Sequence, residues 1–247
     1  MTARPRTAMV LAAGLGTRMR PLTDHTAKPL LPLRGKALID HALDRLAEVG
    51  VSSVVVNAFW QADKVEAHMA ERTERPACTV RREDALLDTG GGVSAALPLL
   101  GHDPFYVVNG DAFWVDGPTP ALTRLAAAFD DGVDGVLLVH RTAHVLGEVG
   151  SGDFALDAWG TPRRRAEREI VPYMYAGVQL ISPSLLRNAP HGAFSLNRAW
   201  DEAMVAGRLR AVVHDGLWFH LSTPPDLDEA EDVLRARWAG DARLPWN

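Results

Sequence analysis

The sequence predicts an α/β fold in which helices cover both faces of a mostly parallel sheet. Three observations lead to this prediction. Over the first 140 residues, short apolar runs alternate with segments of helical periodicity, as expected for strands joined by crossover helices. A glycine loop follows the first apolar run directly. The composition, 47% hydrophobic and 23% charged in 247 residues, is that of a globular chain.

The first part of the chain supplies the alternating elements. Strands are expected where apolar and β-branched residues cluster between turn signals, and helices where apolar residues recur at three- and four-residue spacing. The expected strands are 7–12, 53–57, 78–81, 105–109 and 135–140. The expected helices are 38–48, 60–72, 93–100 and 121–129, the third of them begun by Gly90-Gly91-Gly92.

After residue 140 the pattern changes. A polar tract, 147–170, contains one candidate strand, and more regular elements follow it. The candidate and later strands are 154–157, 173–181 and 209–213, and the later helices are 197–206 and 224–238. No linker long enough to divide the chain is present, so we expect one domain over residues 1–247.

Charge and cysteine content exclude several classes of protein. A net charge of −5 and a pI near 6.0 disfavour a general nucleic-acid or membrane-surface binder, and no apolar run approaches the length of a membrane span. The single cysteine, Cys78, cannot form an internal disulfide, which favours a reducing compartment. The apolar run 8–13 is short and ends in a glycine loop rather than a cleavage site. We expect a cytoplasmic protein with small-molecule substrates, acting as a monomer or a small homo-oligomer.

The glycine loop after the first strand reads Gly14-Leu15-Gly16-Thr17-Arg18. Backbone N–H groups at the carboxyl end of a strand attract phosphate, and open α/β sheets bind ligands at that edge. The dinucleotide fingerprint is disfavoured, because Met19 replaces its third glycine and Asn57 stands where an acidic residue is required. The Gly-Lys-Ser/Thr of a Walker A loop is also absent. The loop therefore indicates a different phosphate site.

Two cations and one carboxylate accompany this loop. Arg18 and Lys28 bracket its backbone donors, and Asp111 follows strand 105–109. A triphosphate attacked at phosphorus needs its charge held in place, and Mg²⁺ takes one or two carboxylates together with phosphate oxygens. We therefore expect Arg18 and Lys28 to bind phosphate. Asp111 is a candidate metal ligand, but an aspartate after Asn109-Gly110 is also common in turns.

These residues resemble a known family. Residues 11–23, with Lys28-Pro29-Leu30-Leu31-Pro32, closely resemble the signature of the sugar-1-phosphate nucleotidylyltransferases. Two further motifs, Asp88-Thr89-Gly90-Gly91-Gly92 and Asn109-Gly110-Asp111, fall where this family has them, and the resemblance covers nearly the whole chain. Segments 89–92 and 96–101 and the compact length are most similar to the N-acetylmuramate 1-phosphate uridylyltransferases of bacterial cell-wall recycling.

The resemblance implies both a fold and a reaction. The fold is a Rossmann-like three-layer sandwich of the nucleotide-diphospho-sugar transferase type, with a mixed, mostly parallel sheet. Residues 1–140 would bind the nucleotide and residues 141–247 the sugar phosphate. UTP and N-acetylmuramate 1-phosphate would give a nucleotide-sugar and pyrophosphate, with Mg²⁺ or Mn²⁺ as cofactor. Alternatives are a mannose-1-phosphate guanylyltransferase, a glucose-1-phosphate thymidylyl- or uridylyltransferase, and a non-catalytic regulator that binds sugar nucleotides.

The resemblance also implies roles for individual residues. Arg18, Lys28 and Asp111 are expected to be catalytic, with Asp111 and His220 as candidate metal ligands. Nucleotide binding is expected from Ala12, Ala13, Gly14, Gly16, Thr17, Arg18, Asp88, Thr89, Gly90 and Gly91. Sugar-phosphate binding is expected from Asn57, Asn109 and Gly177.

Two features stay open to more than one interpretation. Relatives commonly read Trp-x-Asp-x-Gly-Thr where this chain reads 218–223, WFHLST, so His220 replaces an aspartate that binds metal. His220 could bind a metal such as Mn²⁺ or Zn²⁺, which imidazole suits better than Mg²⁺, hydrogen-bond a phosphate, or leave Asp111 as the single carboxylate. The basic cluster Arg163-Arg164-Arg165 with Arg168 could bind an acidic sugar or form a solvated loop.

Overall fold

A computed structural model describes residues 5–145 and 150–237. Its strands are β1 (Thr7–Leu11), β2 (Pro32–Leu33), β3 (Lys36–Ala37), β4 (Ser53–Ala58), β5 (Ala77–Arg82), β6 (Phe105–Asn109), β7 (Phe113–Val115), β8 (Gly135–Arg141), β9 (Phe154–Leu156), β10 (Pro162–Arg164), β11 (Tyr173–Ile181), β12 (Leu209–Val213) and β13 (Leu217–Phe219). Its α-helices are α1 (Leu38–Glu48), α2 (Ala62–Glu71), α3 (Asp88–Leu100), α4 (Ala121–Ala128), α5 (Leu196–Val205) and α6 (Pro224–Arg237).

Nine strands of the described residues form a mixed sheet at the centre of the fold. Strands β5, β4, β1 and β6 are parallel neighbours, and β11 joins them by antiparallel pairing with β6. On the far side of β11, β8 pairs antiparallel with it and parallel with β12, while β9 and β10 form a hairpin beside it. The prediction of an α/β fold with a mixed, mostly parallel sheet is confirmed. Because β1, β4 and β6 are parallel, the residues that follow them meet at one edge.

Helices cover both faces of this sheet and make a core on each side. On β1, Val10 packs in the core formed with α1, α2 and α4, whereas its neighbour Met9 packs in the core formed with α3 and α5. Both residues are fully buried. Burial on both faces explains why the parallel strands read as continuous apolar runs instead of alternating ones.

A third, smaller core lies beside the glycine loop. The β7–β13 ladder and α6 pack there around Met19, Phe113, Phe219 and Leu227. Met19, whose side chain excluded the dinucleotide fingerprint, is fully buried beneath the loop. Since His220 directly follows β13, this packing brings it close to the loop. Strands β2, β3, β7, β10 and β13 were not predicted, because two or three residues are too few to show a period.

Most other elements lie close to the expected ranges, and β6, β11 and β12 have the expected bounds. The glycine run differs: α3 begins at Asp88, so the three glycines lie inside its first turns. The expected tract 147–170 and helix 224–238 extend beyond the described residues, as does the expected domain 1–247, which stays a prediction. Among the helices of residues 5–145 and 150–237, none has the length and apolar character that a membrane crossing requires.

Candidate active site

A cavity of about 520 Å³ lies at the carboxyl edge of β1, β4 and β6. It contains most of the residues expected to bind nucleotide, and both cations that were expected to be catalytic. Those lining it are Ala12, Ala13, Gly14, Gly16, Thr17, Arg18, Lys28, Asp88, Thr89 and Asp111, together with Asn57 and Asn109. Residues separated by up to about 100 positions in the sequence therefore share one cavity, because the parallel strands end on the same side.

The glycine loop is held in a tight conformation by its neighbours. Gly16 has a φ of +60°, and a Cβ atom there would lie 3.1 Å from the Cβ of Lys28 and from the Cγ2 of Thr23. The buried Thr23 hydroxyl donates to the Gly16 carbonyl at 2.8 Å, and the Met19 N–H donates to the same carbonyl at 2.9 Å. The left-handed conformation and the close contacts both explain why glycine occupies position 16.

The same loop leaves backbone donors available. In the described part of the chain, the N–H groups of Gly14, Leu15 and Gly16 donate to no protein acceptor. A Cβ atom on Gly14 would meet nothing within 4 Å, so the loop is open on its cavity side. Arg18 is exposed and forms no ion pair with any described residue. Free N–H groups beside an uncommitted cation form a site for an anionic ligand.

A buried pair of polar side chains fixes the start of this loop. The Ala12 N–H donates to Asn57 Oδ1 at 2.9 Å, and Asn57 Nδ2 donates to Glu83 Oε1 at 2.8 Å. Glu83 Oε2 in turn accepts from the Leu87 N–H at 3.2 Å. Both ends of the Asn57 amide are thus engaged within the protein. The pair connects the glycine loop to the segment that carries Asp88. Glu83 was not predicted, although it follows β5 at the ligand edge.

Asp111 and Lys28 form an ion pair in the cavity. Lys28 Nζ donates to Asp111 Oδ2 at 2.5 Å, with 13% of the lysine and 32% of the aspartate side chain exposed. The Gly110 N–H donates to the Leu11 carbonyl at 2.8 Å, and a Cβ atom on Gly110 would lie 2.9 Å from that oxygen. Glycine therefore permits the close approach that places Asp111 beside the end of β1.

His220 belongs to the same electrostatic environment. Burial lowers its pKa from the usual 6.5, the charges of Arg18 and Lys28 lower it further, and Asp226 and Asp111 oppose the shift. The imidazole is therefore neutral near pH 7, the form that can bind a metal. This places His220 within electrostatic reach of Arg18, Lys28 and Asp111, three residues far from it in sequence.

The donor set fits a divalent metal that is shared with a substrate. Asp111 Oδ1 has no hydrogen bond to any described residue. The neutral imidazole of His220 lies within electrostatic range of that carboxylate but does not line the cavity. Within residues 5–145 and 150–237, no cluster of three or more His, Cys, Asp or Glu side chains could hold a metal ion alone. Phosphate oxygens would therefore have to complete the coordination, as is usual for Mg²⁺.

A second cavity of about 270 Å³ adjoins the first. The two cavities share Leu11, Thr89 and Asn109 as lining residues, so Asn109 lies where they join. The rest of the second cavity is lined mainly by Asp153, Arg164, Tyr175, Gln179, Asn197 and Trp200. These residues come from β10, β11, α5 and the loop before β9, so this cavity belongs to the later part of the chain.

Gly177 lines neither cavity and lies in a bulge of β11. Its φ is +79°, and a Cβ atom would lie 3.0 Å from the Cβ of Ala112 and 3.3 Å from Asn109 Nδ2. The register of β11 against β8 shifts between Tyr175 and Gln179, which is the mark of a bulge. Gly177 thus lets β11 approach Asn109 closely.

The basic cluster divides between the cavity and the surface. Arg164 lines the second cavity, donates to Asp201 Oδ1 at 2.7 Å and lies 5.0 Å from the Phe154 ring centroid. Arg163 is exposed instead and forms two hydrogen bonds to Glu169, which hold the pKa of that carboxyl at about 2. Among Arg163, Arg164, Arg165 and Arg168, Arg164 is the one that lines the second cavity.

Gly90 and Gly91 do not line either cavity. Their N–H groups donate to the Phe194 carbonyl at 2.8 and 3.0 Å. A Cβ atom on Gly90 would overlap the Phe194 ring, and one on Gly91 would overlap the Gly192 carbonyl. These glycines hold α3 against the loop that precedes α5. Asp88 and Thr89, just before them, are the residues of this motif that line the nucleotide-sized cavity.

Comparisons with known proteins identify the family of this chain. Residues 8–215 match the family of MobA-like NTP transferase domains. The chain is 41% identical to the N-acetylmuramate alpha-1-phosphate uridylyltransferase of Caulobacter vibrioides over 99% of both chains. It is 33% identical to the enzyme of the same name from Neisseria meningitidis serogroup B, over 94% of this chain and 99% of that one.

The fold also matches solved structures. A UDP-glucose pyrophosphorylase complexed with UDP-glucose superposes with a TM-score of 0.79 at 15% identity, over 94% of this chain and 99% of the other. Structural likeness at this identity supports the fold, and the sequence matches support the family. The chain therefore belongs to the family of MobA-like NTP transferase domains and, within it, to the sugar-1-phosphate nucleotidyltransferases.

Proposed function

We propose that this chain transfers a uridylyl group from UTP to N-acetylmuramate 1-phosphate and releases pyrophosphate. The observation that carries the proposal is the pair of joined cavities, about 520 and 270 Å³. A nucleoside triphosphate suits the larger one, with its free loop donors, and a sugar 1-phosphate suits the smaller one. Their junction at Leu11, Thr89 and Asn109 is where the α-phosphorus and the attacking phosphate would meet. The two named bacterial relatives support the choice of base and sugar.

The chemistry requires little beyond positioning and charge. The attacking sugar phosphate is already an anion near pH 7, so no strong general base is needed, and in-line displacement at the α-phosphorus expels pyrophosphate. Arg18 and the N–H groups of Gly14 and Gly16 would hold the β- and γ-phosphates as they leave. Lys28 would hold the α-phosphate or the incoming phosphate. Preorganised donors of this kind contribute most where the charge develops.

Asp111 and His220 would hold Mg²⁺ or Mn²⁺ together with phosphate oxygens. Bound there, the metal would neutralise charge on the triphosphate. Asp111 offers its free Oδ1 for this purpose, while Lys28 fixes the orientation of the carboxylate through Oδ2. His220 offers a neutral nitrogen lone pair, since burial lowers its pKa.

The nucleoside end of the larger cavity has apolar walls. Leu15 and Leu86 line it and are partly exposed, which suits the face of a base. Asp88 and Thr89 are the polar groups on this side and would contact base or ribose. We assign Asn57 and Glu83 to holding the loops, and Gly90 and Gly91 to packing α3 behind this wall. N-acetylmuramate is a cell-wall sugar, and we propose that the product serves peptidoglycan recycling in the cytoplasm.

A matrix of substrates tests the proposal. Pyrophosphate release is measured for UTP, GTP, ATP and dTTP with the 1-phosphates of N-acetylmuramate, N-acetylglucosamine, glucose and mannose, each with Mg²⁺, Mn²⁺ and Co²⁺. We expect the highest kcat/KM for UTP with N-acetylmuramate 1-phosphate. A preference for GTP with mannose 1-phosphate, or for dTTP with glucose 1-phosphate, would assign another substrate pair. Tight UTP binding without turnover in any metal would assign a non-catalytic regulator.

A further inference from the structure

We propose that Gln179 determines acceptor specificity by donating a hydrogen bond from Nε2 to the carbonyl oxygen of an acetamido group on the acceptor sugar. This inference rests on the proposed function, because it places the sugar 1-phosphate in the 270 Å³ cavity that Gln179 lines. The residue was not predicted as part of any site. It lies on β11, two positions beyond Gly177.

The orientation of the Gln179 amide follows from its neighbour. Trp200 Nε1 lies 2.9 Å from Gln179 Oε1 in the buried wall of the cavity. An indole N–H can only donate, so the atom facing it must be the amide oxygen. The amide nitrogen, with two N–H donors, is therefore directed elsewhere. Gln179 is 0% exposed and Trp200 is 5% exposed, so packing holds this arrangement.

That nitrogen makes no hydrogen bond of normal geometry in the described protein. Gln179 Nε2 is buried and forms no hydrogen bond among residues 5–145 and 150–237. Leaving such a donor unsatisfied is destabilising, and native proteins rarely do so without a reason. The Tyr175 hydroxyl is a second buried group without a hydrogen bond of normal geometry, and the Gln179 amide is its polar neighbour. Both side chains line the same cavity, so an oxygen atom of a bound sugar would provide a hydrogen-bond acceptor for the Gln179 nitrogen.

The surrounding charges favour a neutral acyl oxygen over a carboxylate. The Asp153 carboxylate also lines the cavity and would repel a second anion. Arg164, the cation that lines it, is already committed to Asp201 at 2.7 Å and to Asn197 Oδ1 at 3.0 Å. An acetamido carbonyl brings no charge.

The aromatic surfaces of the cavity complete the match. The rings of Tyr175 and Trp200 meet edge to face with centroids 4.8 Å apart and offer an apolar surface next to the amide donor. An acetamido group presents one carbonyl oxygen and one methyl group on the same carbon. The oxygen would accept from Gln179, and the methyl group would pack against the rings. A hexose with a hydroxyl group at this position could accept the hydrogen bond from Gln179, but it has no methyl group to pack against the rings.

Two variants remove the donor in different ways. Gln179→Glu keeps an oxygen that accepts from Trp200 and has nearly the same shape, but it cannot donate when ionised. Gln179→Met removes the hydrogen bonds without adding charge. Binding of UTP and the thermal midpoint are measured for each, so that a general loss of structure is recognised. Sugar binding is then measured on the variant that keeps UTP binding and the thermal midpoint of the wild type. Gln179→Glu changes the side-chain volume less than Gln179→Met does.

The test compares dissociation constants, measured by calorimetry in the presence of a non-hydrolysable UTP analogue. N-acetylglucosamine 1-phosphate and glucose 1-phosphate differ by the acetamido group, and N-acetylmuramate and N-acetylglucosamine 1-phosphates differ by the lactyl carboxylate. We expect the wild type to prefer the acetamido sugar at least tenfold over glucose 1-phosphate and the variants to lose most of that preference. The preference attributable to the lactyl group should change less than twofold.

Two results would overturn the inference. The acetamido preference could persist in the variants, or the lactyl preference could collapse while the acetamido preference stays, which would make Gln179 a carboxylate ligand. These outcomes are independent of turnover. Failure of the wild type to release pyrophosphate from any substrate pair would instead remove the proposed function while the binding comparison stands.

Discussion

Lys28 Nζ and Asp111 Oδ2 lie 2.5 Å apart in the larger cavity, although 83 positions separate the two residues in the sequence. Lys28 follows the glycine loop and Asp111 follows β6, so their ion pair joins the two segments that would surround the triphosphate. The pair is mostly shielded from solvent, and its charges interact more strongly than those of a surface pair. We infer that the two residues act as one unit.

Substitution of this pair should therefore be non-additive. Lys28→Met and Asp111→Asn should each lower kcat by about 10²-fold or more, as expected for loss of a preorganised charge. The double variant should be little worse than the worse single one. Steady-state kinetics of the four proteins checks this. Lys36→Met, which breaks a half-exposed ion pair with Asp44, is the matched control, and independent, multiplicative losses at Lys28 and Asp111 would contradict the account.

Arg18 should contribute to turnover through its charge. It is exposed at the mouth of the cavity and has no ion pair with a described residue, so it is free to meet the leaving phosphates. Arg18→Ala should lower kcat by about 10²-fold. The control is Arg20→Ala, which removes a nearby exposed arginine that pairs with Asp24 at 3.3 Å. Equal turnover of the Arg18 variant and the wild type would remove Arg18 from the mechanism.

The two loop glycines should respond differently to alanine. Gly14→Ala adds a methyl group where nothing lies within 4 Å, so the thermal midpoint should stay unchanged while KM for UTP rises. Gly16→Ala must adopt a φ of +60° and meets Lys28 and Thr23 at 3.1 Å, so it should lose about 1–2 kcal/mol of stability. Thermal unfolding and UTP kinetics of both variants separate the two effects. A large loss of stability from Gly14→Ala would disagree with the open space beside it.

Glu83 should act on nucleotide binding from outside the cavity. It holds Asn57 at 2.8 Å and the Leu87 N–H at 3.2 Å, and Asn57 holds the start of the glycine loop. Glu83→Gln keeps one acceptor oxygen and loses the other. The KM for UTP should therefore rise about tenfold, the effect of one lost hydrogen bond to a charged group. The kcat should stay within about threefold of the wild type. Asp84→Asn, at the exposed neighbour, is the control. A fall in kcat with KM unchanged would argue against a positioning role.

A buried histidine away from the site should make stability depend on pH. His140 is 3% exposed, and burial lowers its pKa from 6.5 to about 4. The folded pKa lies below the unfolded one, so the unfolded chain binds the proton first and stability falls as the pH drops from about 6.5 to about 4. Between pH 7 and pH 5, this side chain should remove about 2 kcal/mol from the free energy of unfolding.

Urea unfolding of His140→Leu at the two pH values checks this sign and size. The loss between pH 7 and pH 5 should be about 2 kcal/mol smaller than in the wild type. His214, whose pKa is also lowered by burial, contributes in the same direction and leaves part of the dependence in place. His102→Leu, at an exposed position, serves as the matched variant. An unchanged pH dependence in His140→Leu would contradict the assignment.

Much of the phosphate site was predictable from the sequence because it is built from strand ends. Apolar runs locate β1, β4 and β6. Because parallel strands end on one side, the sequence predicts that Arg18, Lys28 and Asp111 lie close together. His220 was found through its departure from a motif. Its approach to Arg18 depends on the three-residue strands β7 and β13, which show no period in the sequence.

The acceptor cavity was harder to predict for a different reason. Its walls come from side chains whose direction depends on a bulge in β11, and bulges are not visible in a hydrophobic pattern. In the sequence, Gln179 is one residue of a strand and Glu83 is one carboxylate of a loop, and no motif marks either of them as part of a site. Gly90 and Gly91 belong to a motif but pack against Phe194. A sequence alone does not distinguish glycines that serve packing from glycines that contact a base.

Isotope transfer tests the central claim, nucleotidyl transfer at the α-phosphorus, most directly. The protein is incubated with N-acetylmuramate 1-phosphate, a divalent metal and UTP labelled with ³²P at either the α- or the γ-position, and the products are separated. The account predicts that the α-label appears in a UDP-sugar and the γ-label in pyrophosphate, in equal amounts. Release of the γ-label as inorganic phosphate, or failure of the α-label to enter a sugar nucleotide, would contradict it.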